Sequence, residues 1–160
     1  MAIDKSTFWA DNYYQHPPLT DAMLEAAEAT LQVKLPPLLV ELLRVQNGGY
    51  TAGFAFPMLQ PTSWADDHVP LTELFGIVPD TSIQTAQNLL DTPYLTAEWE
   101  LPEKQVLLTG DGHWWITLDY RAGSTPRILW IDTEMEQELE VAANFDDFMS
   151  GLVLLDTYNH

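Results

Sequence analysis

The chain contains no cysteine, only six lysines and arginines, and no apolar run long enough to cross a membrane. Without cysteine there is neither a disulfide framework nor thiolate chemistry, and a reducing compartment is compatible. Scarce basic residues remove the usual means of neutralising phosphates, so direct nucleic-acid binding is not expected. The opening MAIDKSTFWADNYYQHPP lacks the apolar core of a signal peptide, which fits a soluble cytoplasmic protein.

Against the six bases stand 24 acidic residues, for a formal net charge of -18. Such a field speeds encounter with a basic partner, and it also keeps a protein soluble. The chain is 160 residues long, 46% of them hydrophobic and six of them tryptophan, which suits one domain with a full core.

Residues 1–19, with Phe8, Trp9, Tyr13 and Tyr14 ahead of Pro17 and Pro18, read as an arm packed onto that domain. Thr20 offers an N-cap, and Met23, Leu24, Ala27 and Leu31 recur at helical spacing, so a helix is expected over 20–32. A second helix begins at Pro36 and Pro37, carries Leu38, Leu39, Leu42 and Leu43 on one stripe, and ends at Asn47-Gly48-Gly49. Strands are expected over 50–57 and 71–78, separated by the loop PTSWADDHVP. The spacing of Ile83, Ala86, Leu89 and Leu90 predicts a third helix over 80–90, limited by Pro93.

From residue 105 the pattern changes to strands at 105–109, 113–120, 127–132 and 138–142, joined by short turns as in an antiparallel meander. Asn144 then caps a closing helix whose first turn holds Asp146 and Asp147. This order predicts an α+β fold in which helices pack on a largely antiparallel sheet of about six strands. Period two places Trp114, Ile116, Leu118 and Tyr120 on a core face, and His113, Trp115, Thr117, Asp119 and Arg121 on a mixed face.

No stretch carries an enzyme signature. Gly110-Asp111-Gly112 lacks the lysine of a phosphate loop and the acidic ladder of a calcium loop, and reads as a hairpin turn. The four histidines lie far apart, so neither a metal site nor a cofactor is expected, and no serine sits in a G-x-S-x-G elbow. His113 near a carboxylate has no accompanying motif that would make it a catalytic base.

Two stretches remain as candidates for binding a protein. IDTEMEQELEVA puts Glu138 and Glu140 on one strand face and Glu134 and Glu136 in the turn, an acidic surface suited to lysines and arginines of a partner. The loop with Trp64, Asp66 and Asp67 offers a tryptophan ringed by acids, and Asp111 and His113 join the candidate surface from the hairpin turn.

The segments LPPLLVELLRVQNGGY, YLTAEWELPEKQVLLTGDGHWWITLDYR and ILWIDTEMEQELEVAANFDDFMSGL, in that order, resemble the Smi/Knr-type branch of the SUKH superfamily over about residues 20–155. The resemblance implies an α+β fold and a non-catalytic role. Bacterial members look like immunity proteins that bind toxins encoded beside them, and fungal relatives regulate cell-wall synthesis through protein partners. It also implies that Gly48, Gly49, Gly110, Gly112, Trp115, Leu118 and Asp119 maintain the fold. The leading expectation is an immunity protein occluding a basic toxin such as a nuclease; the alternative is a housekeeping regulator or scaffold that binds an endogenous protein.

Overall fold

In a computed structural model describing residues 4–158, the Thr20 side chain accepts a hydrogen bond from the Met23 N–H at 3.2 Å and starts α2 (Asp21–Leu31). Ahead of it lies one turn of helix, α1 (Lys5–Phe8), whose Phe8 is fully buried and stacks on Phe54 with ring centroids 5.4 Å apart. Trp9 donates its indole N–H to the Leu42 carbonyl at 3.0 Å, so the arm residues are anchored to the helices. Pro37 opens α3 (Pro37–Val45), where a missing N–H costs nothing, and Leu39, Leu42 and Leu43 on its inner stripe are fully buried.

Among the described residues seven strands lie in two sheets, every strand pair antiparallel. The first sheet has the order β2 (His68–Leu74), β1 (Gly49–Pro57), β7 (Val153–Leu154). The second is the meander β3 (Gln105–Gly110), β4 (Trp114–Asp119), β5 (Arg127–Asp132), β6 (Gln137–Ala142). They meet where the Phe75 N–H donates to the Leu108 carbonyl at 2.8 Å. The α+β class and antiparallel pairing expected from the sequence are therefore present, with the strands divided between two sheets. The Asn144 side chain accepts from the Asp147 N–H at 2.7 Å and caps α5 (Phe145–Gly151), whose Phe148 stacks on Phe56 of β1.

The helix expected over 80–90 is not formed. Asp80 accepts hydrogen bonds from the Ser82 N–H and hydroxyl, closing a local turn. The Gly76 N–H donates to the Gln87 carbonyl, and the Asn88 side chain holds both backbone groups of Val78, so 87–88 is drawn out as an extended bridge to 76–78. The helix begins later, as α4 (Thr92–Trp99) after a 3₁₀ turn (Leu89–Asp91), and Pro93 lies in its first turn, where proline favours helix. The strand expected over 71–78 likewise starts earlier and stops at Leu74. Beyond it, Asn47 accepts from the Ile77 N–H at 2.7 Å and donates to the Ile77 carbonyl at 2.7 Å.

The second face of β4, expected to be mixed, is closed by the protein itself. Trp115, Thr117 and Asp119 are all buried, whereas Trp114 on the other face is half-buried and stacks on Trp130 at 4.8 Å. The Thr117 hydroxyl donates to Gln105 Oε1 at 2.6 Å, and Gln105 Nε2 donates to Asp119 at 2.7 Å. Trp115 lies over Gly110, where a Cβ would overlap its indole ring, so glycine there makes room for the tryptophan.

Candidate functional site

One end of the meander gathers three connections. The loop between β1 and β2 is closed at its base by the Met58 N–H on the Asp67 carbonyl at 2.8 Å. Within it, the Thr62 hydroxyl accepts from the N–H groups of Trp64 and Ala65, both at 3.1 Å. The β3–β4 turn is shaped by Asp111, whose carboxylate accepts from the N–H groups of His113 and Trp114 at 2.9 and 3.2 Å. The β5–β6 turn is shaped the same way by Asp132, which accepts from the N–H groups of Glu134 and Met135, both at 3.0 Å.

These connections are tied together. The Ser63 hydroxyl donates to the other Asp132 oxygen, and the Ser63 N–H donates to Gln137 Oε1 at 2.8 Å. The same Gln137 oxygen accepts from the Trp130 indole at 3.1 Å. His113 Nδ1 lies 2.7 Å from Glu134 Oε1, and the Thr133 N–H donates to the His113 carbonyl at 3.2 Å. Asp132 is buried, so its carboxylate couples the tryptophan loop to the acidic turn at once. Replacing Asp132 with alanine should release both, costing about 1–2 kcal/mol for the orphaned donors. Faster amide exchange at Ser63, Glu134 and Met135 checks this, and unchanged exchange at Ser63 would refute the coupling.

Most of the residues singled out from the sequence converge here. Trp64 is 44% exposed, resting edge-on against the His68 ring at 5.1 Å rather than folding into the core. Asp66, Asp67, Asp111, His113, Glu134 and Glu136 are exposed around the same end. Sequence reasoning passed over Met135, 67% exposed at the tip of the acidic turn, and Leu59, fully exposed in the tryptophan loop. The segments 58–67, 110–113 and 132–137 contain no lysine or arginine.

Glu138 and Glu140 belong to a different arrangement. Glu138 accepts from Arg121 at 2.8 Å and Glu140 lies 3.5 Å from Arg127, so the chain's own guanidinium groups partner both carboxylates. Both arginines also bind the buried Asp119, at 2.9 and 2.7 Å. With Lys34 and Lys104, which line a groove of about 840 Å3 beside Arg121, they place four of the six bases at the opposite end of the meander. Charge is thus distributed unevenly along the four-stranded sheet, with carboxylates that face no lysine or arginine and exposed apolar side chains at one end, and carboxylates matched by bases at the other.

Among the described residues no group of histidines and carboxylates is arranged to hold a metal ion, and no helix is long and apolar enough to cross a membrane. Comparison with curated proteins gave no match, and neither did comparison with solved structures. The model of the SMI1 / KNR4 family (SUKH-1) matches residues 18–151, from the lead into α2 through the last residue of α5, and the chain belongs to that family.

Proposed function

We propose that the protein is a non-catalytic binding protein, an immunity protein that neutralises a basic cognate toxin by covering it with the loop end of the meander. The observation that carries this reading is the composition of that end. Trp64, Met135 and Leu59 are exposed among six carboxylates (Asp66, Asp67, Asp111, Asp132, Glu134 and Glu136) with no base between them. Exposed tryptophan supplies contact area that leaves water on binding, and surrounding charges select a partner of opposite sign and raise the association rate. Family membership supports a protein partner.

The direct test is co-expression with the product of the adjacent gene. Co-purification and relief of that product's toxicity are the expected results; a neighbour that is neither toxic nor bound would overturn the reading. Association should also slow by about 100-fold between 0.01 M and 1 M ionic strength, as the screening length falls from about 30 Å to about 3 Å. Stopped-flow mixing at several salt concentrations measures this, and a flat rate would mean that the acidity serves solubility alone.

A further inference from the structure

At the far end of β1 from the tryptophan loop, roughly 25–30 Å away along a nine-residue strand, three tyrosine rings meet at the surface. Tyr13 is 72% exposed and Tyr50 38% exposed, and Tyr14 lies half-buried between them. Ring centroids are 5.2 Å apart for Tyr13–Tyr14, 5.9 Å for Tyr13–Tyr50 and 5.3 Å for Tyr14–Tyr50. The Tyr14 and Tyr50 hydroxyls bond each other at 3.2 Å. Glu73 stands opposite Tyr50 in the β1–β2 register, and its Oε2 accepts from the Gln87 amide at 3.1 Å. Five of the six bases pair with carboxylates other than Glu73, and the sixth, Lys104, lines the groove beside Arg121.

We propose that Tyr13, Tyr14 and Tyr50, with Glu73 beside them, form a second docking surface that receives an arginine side chain of a protein partner. A guanidinium group is planar, weakly hydrated and permanently charged, so it stacks on an aromatic face while its N–H groups reach a carboxylate. An ammonium shares the charge but not the planar stacking. Fixed packing between the three rings and the hydroxyl pair holds the surface in shape before contact. Burial first, and then the hydrogen bond with Tyr50, raise the Tyr14 hydroxyl above its ordinary pKa, so it keeps its proton. This surface does not depend on the partner being a toxin, because it rests on residues remote from the loop end.

The experiment is a titration of the ¹⁵N-labelled full chain with acetyl-GRGRG-amide and with acetyl-GKGKG-amide, which carry equal charge. The arginine peptide should shift the amides of Tyr13, Tyr14 and Tyr50 and bind there about two- to fivefold more tightly than the lysine peptide. Tyr13→Ala should abolish that preference, and Tyr50→Phe, which keeps the ring, should retain it. Equal affinity of the two peptides at these amides, or shifts confined to residues 58–67, 110–113 and 132–137, would overturn the proposal. Neither result would disturb the proposed role of the loop end, whose failure shows instead as absence of a bound toxin.

Discussion

Replacing Trp64 with alanine should weaken the complex with the proposed basic partner by about 2–4 kcal/mol, or about 30- to 1,000-fold in Kd, while barely moving the melting temperature of the free protein. The two outcomes separate because the indole contributes little to the core. It is 44% exposed and makes one ring contact, edge-on to His68, which keeps its own stack on Tyr158 at 3.8 Å. The backbone beneath is clamped by the Thr62 hydroxyl and by Ser63 on Asp132, so truncation removes contact area without relaxing the loop. Large, rigid aromatic anchors surrounded by polar groups carry a disproportionate share of interface energy. Calorimetric titration of the variant decides the matter, and a change in Kd below about threefold would remove Trp64 from the interface.

Asp119→Ala should cost about 3 kcal/mol of folding stability and lower the melting temperature by about 6–12 °C. The carboxylate is 1% exposed and accepts from Gln105, Arg121 and Arg127, so its loss leaves two guanidinium groups facing each other over the sheet. Both arginines keep partial access to water and a second carboxylate each, which keeps the cost at the low end for a broken ion-pair network. Burial alone would raise the Asp119 pKa, but the hydrogen bonds from Arg121 and Arg127 outweigh it and bring the carboxyl from its ordinary 3.8 down to about 2. A folded-state pKa below the unfolded one adds stability above the unfolded value that is lost as pH falls through the folded value. Here that is about 2 kcal/mol, present above about pH 4 and gone below about pH 2. Urea melts of the wild type and Asp119→Asn should therefore differ at pH 6 and converge near pH 2. An equal gap at both values would show that the carboxylate's charge is not what stabilises the network.

The meander was legible in the sequence because each strand is a short run rich in apolar, aromatic and β-branched residues and is closed by a turn whose chemistry is local. Gly110-Asp111-Gly112 and Asp132 with the residues after it announce themselves as turns. The closing helix was readable for the same reason, since Asn144 and Asp147 satisfy the first turn without help from elsewhere. The segment 80–90 misled because its apolar spacing is helical while its backbone bonds go to residues 76–78, a non-local pairing that periodicity does not register. Burial of Trp115, Thr117 and Asp119 was hidden for a related reason. An alternation of polar and apolar residues reads as one wet face, whereas Gln105, Thr117 and Asp119 make a buried polar layer, edged by the two arginines, that only strand pairing can assemble. The candidate surface was visible as acidic segments, but its coherence depended on Ser63 finding Asp132 across 69 residues of chain. For Glu138 and Glu140, sequence showed the charge but not the arginines that partner it.

The uneven charge along the meander has a consequence for how the molecule would meet the proposed basic partner. Strands of six residues span about 20 Å. Carboxylates matched by Arg121, Arg127 and Lys34 at one end and carboxylates with no lysine or arginine at the other therefore leave the sheet with a charge that is unequal along its length, an electric dipole as well as a net charge. A basic surface approaching in solution exerts a torque on that dipole and swings the Trp64 end forward before contact. Orientation, the step that holds most protein encounters well below the diffusion limit, is thereby partly solved at a distance.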